Sequence, residues 1–172
     1  MKLGLKEKCY PKVKLNNVLE ITEEFLHKNN LKAIITDVDN TLMDYDGNIL
    51  EGINEWIDRL QKVGIKICIL TNTRKPQKAE KISKMLNNIP YVYFAKKPLK
   101  GGFKRAKKKL NMDNNENIAV VGDQIMTDIL GANRNHMFSI LVSPLGKNEI
   151  LPTRINRRIE KILFGKSNQD EL

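Results

Sequence analysis

An α/β fold on a mainly parallel, five-stranded sheet is what this sequence predicts, and three observations carry the prediction. Short apolar runs rich in β-branched residues alternate with longer segments of helical apolar period. The connections between the runs are each long enough for one helix, which calls for parallel strands joined by right-handed crossovers. Polar and charged residues follow the ends of several runs, at the sheet edge where open α/β sheets bind ligands.

Leu15, Val18, Ile21, Phe25 and Leu26 stand near helical spacing and predict a leading helix over about 15–28. The run Ala33-Ile34-Ile35-Thr36 is apolar and β-branched, a buried strand that continues into Asp37-Val38-Asp39-Asn40-Thr41. After the turn-rich Asp44-Tyr45-Asp46-Gly47-Asn48, the residues Ile53, Trp56, Ile57, Leu60 and Val63 recur at helical spacing, and Gly64 ends that amphipathic helix. Ile65 to Leu70 is the second strand and runs into Thr71-Asn72. Ala79, Ile82, Met85 and Leu86 mark another helix, and Tyr91 to Ala95 a short third strand before Lys96-Lys97-Pro98. Gly101 to Leu110 is a lysine-rich helix, Ile118 to Val121 the fourth strand, Ile125 to Asn133 a helix and Phe138 to Val142 the fifth strand. Ile155, Ile159, Ile162 and Leu163 alternate with basic residues, predicting a basic C-terminal helix over about 153–164, and 165–172 reads as a polar tail. The expectation is one domain over 1–164, with a motif-bearing core over about 32–145.

A chain of 172 residues and 19.8 kDa is long enough for a proper core. Its 41% hydrophobic content and mean hydropathy of −0.43 fit an ordinary globular protein. No apolar run approaches the roughly 20 residues that span a bilayer, and Met1 to Lys8 has charge but no apolar core, so neither a membrane span nor a signal peptide is expected. Cys68, inside an apolar run, reads as a buried reduced thiol, and the chain reads as cytoplasmic. A net charge of +10 and a pI near 9.6 imply an anionic counterpart: a phosphorylated substrate, a nucleic acid or an acidic membrane. Few aromatics and no recognisable nucleic-acid module speak against specific nucleic-acid recognition.

Asp37 and Asp39 are spaced by one residue at a strand's end, so an extended backbone points both carboxylates to one side. Two acids brought together raise each other's proton affinity unless a cation intervenes, an arrangement suited to metal-dependent phosphoryl transfer. Thr71 after the second strand, Lys97 after the third, and Asp123 with Asp128 after the fourth reach the same sheet edge. Each alone has a plainer reading. Asp123 is also a good helix cap, Thr71 and Asn72 are good turn residues, Lys97 is one lysine among many, and the aspartate pair suits a structural site. Together, those plainer readings require four coincidences. A response-regulator receiver also clusters acids, Thr and Lys, but its phosphorylated Asp sits on the third strand, where this chain has Ala95-Lys96-Lys97.

Asp37-Val38-Asp39-Asn40-Thr41, Thr71-Asn72, Lys97-Pro98 and Gly122-Asp123 through Asp128, in that order and each at a strand end, resemble the haloacid dehalogenase (HAD) superfamily of phosphatases. The stretch Val120 to Arg134, followed by Ile140-Leu141-Val142-Ser143-Pro144-Leu145, is similar to the YqeG group of HAD subfamily IIIA and to the phosphatidylglycerophosphate phosphatases of mitochondria and plants. The chain departs from that pattern at His136, where the family often has glycine.

The resemblance implies a Rossmann-like, three-layer sandwich without a large cap domain. It makes Asp37 the nucleophile that forms an aspartyl-phosphate, and Asp39 the acid that protonates the leaving alkoxide and then the base that activates water. Thr71 and Lys97 would hold the phosphoryl oxygens, with Lys97 also restraining the nucleophile, and Asn72 would join them in binding substrate. Mg²⁺ would be held by Asp37, the main-chain carbonyl of Asp39 and Asp123, with Asp128 helping directly or through water, since hard oxygen ligands suit that ion. Four carboxylates against Mg²⁺ and Lys97 leave one net negative charge, which protonation of Asp39 removes. Arg134 would either grip a second head-group phosphate or favour its helix C-terminus.

The implied activity is removal of the terminal phosphate of phosphatidylglycerophosphate at the inner face of a membrane. A soluble sugar phosphate, a nucleotide or a polynucleotide end is the alternative substrate, and a basic RNA- or ribosome-associated role is the third reading. Without a cap the site is open to a membrane-anchored substrate. The lysine run from Lys96 to Lys109 reads as an anion-facing patch or as a solvated helix face. The C-terminal helix either packs its apolar stripe on the core or lies on an anionic membrane.

Overall fold

The computed structural model describes residues 4–146. Its strands are β1 (Val13–Leu15), β2 (Ala33–Thr36), β3 (Lys66–Leu70), β4 (Tyr91–Val92), β5 (Ile118–Gly122) and β6 (Phe138–Val142). They form one sheet in the order β1-β6-β5-β2-β3-β4, and every pairing is parallel. The helices are α1 (Glu23–Lys28), α2 (Ile53–Lys62), α3 (Pro76–Met85), α4 (Lys100–Lys109) and α5 (Leu130–Arg134), with a π turn at Ile125–Ile129 leading into α5.

Side-chain alternation on the central strand β2 explains the layers. Ile34 packs with Leu26, Trp56, Leu60 and Ile82, whereas Ala33 and Ile35 pack with Phe103, Ala106 and Ala132. Thus α1, α2 and α3 cover one face of the sheet, and α4 and α5 cover the other. Trp56 is fully buried, and its indole N–H finds the Ile21 carbonyl at 2.9 Å, so no polar atom of that side chain goes unpaired. Among the described residues no domain is inserted between the elements, and no helix is long and apolar enough to cross a membrane.

Six strands replace the five that the apolar runs predict. The extra one, β1, pairs with β6 at the sheet edge, Val13 opposite Ile140 and Leu15 opposite Val142. A three-residue edge strand with a lysine at its centre carries too little pattern to be read. The leading helix expected over 15–28 shrinks to α1, because Asn17 caps a 3-10 turn at Val18–Glu20 and Thr22 caps α1 through the Phe25 amide. Leu15, Val18 and Ile21 still reach the core, from a strand and a turn rather than from one helical stripe. Val63, counted into the α2 stripe, caps that helix and is exposed. The third strand is only Tyr91–Val92, and the helix expected over 125–133 is the π turn plus α5. The basic helix expected at 153–164 and the tail at 165–172 lie outside the described residues.

Candidate active site

Four strand ends meet at one edge of the sheet. β2 stops at Thr36, and the Asp37 amide extends its pairing by one bond, donating to Val121 O at 2.9 Å. The chain then turns sharply. Val38 O accepts from the amides of Thr41, Leu42 and Met43, and Asn40 takes a left-handed φ of 61°, a conformation asparagine tolerates well. Asp37 is buried there, while Asp39 stands part-exposed at the rim and pairs with Lys78 at 3.3 Å. The two carboxylates therefore do not line one flat strand as simple alternation predicts. They remain near enough that the Asp39 charge is felt at Asp37.

Lys97 arrives from the loop after β4. Phe94 N donates to Thr73 O and Ala95 N to Thr71 O, so this loop runs along the end of β3. Lys96 has a left-handed φ of 55° just before the lysine that turns inward. Lys97 Nζ then donates to Asp37 Oδ1 at 2.7 Å and to Asp128 Oδ1 at 2.6 Å, all three side chains being buried. These are short, charge-assisted bonds. Asp128 is supplied by the π turn, and its other oxygen accepts from the Gln124 amide at 3.2 Å. Gly122 makes room for it, because a Cβ at that position would collide with the Asp128 carboxylate carbon.

Asp123 completes the group. Asp37, Asp123 and Asp128 each offer a carboxylate oxygen, and the three atoms lie within 4.8 Å of one another. A buried set of hard oxygen donors at that spacing, without sulfur or imidazole, fits a divalent ion of the Mg²⁺ type. The Asp39 carboxylate is not in this group, being turned toward Lys78.

Burial governs the electrostatics. It pushes the Asp37 carboxyl up to about 7, against the opposing pull of the Lys97 ammonium, and the Asp128 charge adds to the rise. For Lys97, burial works against the cation, but Asp128 and Asp37 more than offset it and raise its proton affinity. The lysine is a fixed positive charge at any ordinary pH.

The remaining expected residues divide. Thr71 is buried at the end of β3, where its hydroxyl accepts from Thr73 N at 3.2 Å. Asn72 acts on the lysine loop itself: its Oδ1 accepts from Lys97 N at 2.8 Å and its Nδ2 donates to Lys97 O at 3.4 Å. It clamps the Lys97 backbone. Arg134 closes α5, next to the Asn135 carbonyl that accepts from Asn115 Nδ2 at 2.7 Å. Asn115 precedes β5, so Arg134 sits where that strand begins, and the structure does not bring it to the carboxylates at the other end. The α5 helix runs back against the strands and carries Arg134 away. Lys78 was missed, although its place in the first turn of a helix that follows a strand end was a usable signal.

A family model described as mitochondrial PGP phosphatase matches residues 3–144. The chain is 37% identical over 158 residues to a probable phosphatase, YqeG, of Bacillus subtilis (strain 168), covering 91% of this chain and 90% of that one. It is 28% identical over 164 residues to phosphatidylglycerophosphate phosphatase 1, chloroplastic/mitochondrial, of Arabidopsis thaliana, covering 90% of this chain and 47% of that longer protein. In fold it is similar to a possible sugar phosphatase of the HAD superfamily from Cytophaga hutchinsonii, with a TM-score of 0.63 at 15% identity over 87% of this chain and 95% of that one. The chain thus belongs to the mitochondrial PGP phosphatase family, and it shares its fold with a structure of the HAD superfamily.

Proposed function

We propose that the protein is a Mg²⁺-dependent phosphomonoesterase that works through an aspartyl-phosphate on Asp37, with phosphatidylglycerophosphate as substrate. The observation that carries the reading is Lys97 Nζ bridging Asp37 and Asp128 beside Asp123. That cluster is a buried anionic nucleophile with a fixed counter-charge and room for a divalent ion. Asp37, Asp123 and Asp128 would hold the ion, which when bound neutralises charge on the site and on the phosphoryl group.

In the first step an Asp37 carboxylate oxygen bonds to phosphorus as the bond to the leaving alkoxide breaks. Asp39, at the rim where the leaving group must depart, gives that alkoxide its proton. In the second step Asp39 takes a proton from water, the oxygen of which bonds to phosphorus and frees Asp37 and phosphate. Lys97 keeps Asp37 in place and offsets its negative charge, and Asn72 keeps Lys97 in place through its backbone. Thr71 at the end of β3 is the residue proposed to meet the phosphoryl oxygens. The Arabidopsis relative named for phosphatidylglycerophosphate supports the substrate, and the lack of an inserted cap among the described residues supports access by a lipid at the inner face of a membrane.

The test is a phosphate-release panel run with wild type and Asp37→Asn, with and without Mg²⁺. Release from phosphatidylglycerophosphate that outpaces soluble sugar phosphates and nucleotides, and that vanishes in the variant, is expected. Fast turnover of a soluble ester with none of the lipid would overturn the substrate assignment.

A further inference from the structure

The loop at 93–99, which carries Lys97 into the site, also exposes three large apolar side chains. Tyr93, Phe94 and Leu99 keep 39%, 37% and 53% of their surface open. A single exposed apolar residue needs no explanation. Three on one active-site loop, ringed by cations, do. The Phe94 ring lies under Arg74 Cζ at 5.4 Å and under Lys96 Nζ at 4.6 Å. Arg105 ties the loop to α4, donating to the carbonyls of Tyr93 and Phe94 at 3.3 and 2.7 Å. From Lys81 to Met112 the sequence holds ten lysines and arginines and not one acid.

We infer that this loop is a membrane-docking element, which seats Phe94 and Leu99 among the head groups of an anionic phospholipid bilayer. Arg74, Lys96 and Lys100 would meet lipid phosphates around them, bringing the sheet edge that holds Asp37 and Asp128 to the bilayer surface. The inference rests on the lipid-substrate reading above and adds the surface that delivers the enzyme to its substrate. Charge complementarity selects the occupant. A polyanion in solution engages the lysines but gains nothing from an exposed leucine, and a bilayer interface uses cations and apolar side chains together. The acid-free stretch also removes the like-charge repulsion that carboxylates would feel near anionic lipid.

The experiment is vesicle co-sedimentation of the full chain, with phosphatidylcholine vesicles against vesicles about one-third phosphatidylglycerol. Binding to the anionic vesicles alone is expected, about tenfold weaker in Phe94→Ser/Leu99→Ser. That variant should keep its turnover of p-nitrophenyl phosphate and lose turnover of phosphatidylglycerophosphate held in vesicles. Should the pair impair the soluble turnover, Leu99→Ser alone carries the test, since that side chain is half exposed. Asp37→Asn separates the two claims, because it should bind vesicles as wild type does. A wild-type protein that binds vesicles yet releases no phosphate from the lipid counts against the substrate and leaves docking standing. Unchanged vesicle binding by the Phe94 and Leu99 variants overturns the docking loop. So does binding that only Lys104→Glu/Lys108→Glu abolishes and that poly-uridine RNA displaces, since that pattern belongs to a polyanion site.

Discussion

Lys97 and Asp37 form a buried ion pair at 2.7 Å across 60 residues of sequence, and the same ammonium reaches Asp128 at 2.6 Å. A buried ion pair of this kind adds little net stability over an apolar core, but removing one partner leaves the other charge stranded. The arrangement is therefore best explained by what it holds ready, a carboxylate kept next to a cation in a dry site.

Lys97→Met should strand the buried carboxylates. In metal-free protein the expected loss is about 3–5 kcal/mol of stability, read by urea denaturation. With Mg²⁺ present the variant should regain part of that stability, while its rate of phosphate release stays down by about a hundredfold or more. Near-wild-type release would remove Lys97 from the chemistry.

The Asp37 carboxyl sets a pH dependence. Its pKa rises from 3.8 to about 7 on folding, so the folded protein holds this proton more tightly than the unfolded chain does. The stability it contributes is full below about pH 4 and is lost as pH rises through about 7. In EDTA, Asp37→Asn should therefore gain melting temperature relative to wild type as pH is raised from about 5 to about 8. A gap between the two proteins that is constant with pH would show that Asp37 does not titrate in this window.

Gly122→Ala tests the π turn. The added Cβ cannot coexist with Asp128 where it stands, so the carboxylate must shift. Catalysis tolerates such shifts poorly, and a loss of about a hundredfold in kcat is expected from a displacement near 1 Å. The folded fraction seen by circular dichroism should change much less than the activity.

Metal binding should appear as stabilisation. Mg²⁺ at about 100 times its dissociation constant should add about 2.7 kcal/mol by mass action, read as a rise in melting temperature. Asp123→Asn should abolish most of that rise. Lys78→Ala, which removes an exposed pair with Asp39, should change stability by less than about 1 kcal/mol.

Much of the site was legible because its groups stand at strand ends. Asp37 follows β2, Thr71 follows β3 and Asp123 follows β5, so locating the apolar runs also located the groups that stand at this sheet edge. Lys97 was legible by its order among those ends. Asn72 was named as a binding residue, yet its bonds run to the Lys97 backbone, and a clamp across 25 residues leaves no periodic trace. Arg134 was read either as a phosphate ligand or as a charge at its helix C-terminus, and it stands in the last turn of α5, toward the start of β5. The edge strand β1 was lost because Leu15, Val18 and Ile21 mimic a helical stripe while lying in a strand and a 3-10 turn. His136, where the resemblance implies glycine, takes a left-handed φ of 56°, a conformation that glycine adopts without strain.

The central claim is that Asp37 carries the phosphoryl group. Acid-quenching wild-type protein during turnover and mapping its peptides by mass spectrometry tests this most directly. A phosphoryl adduct on the peptide containing Asp37, absent from Asp37→Asn and accumulating in Asp39→Asn if water activation is the slower step, is the predicted result. Full turnover in Asp37→Asn, or an adduct on another residue, would contradict the account.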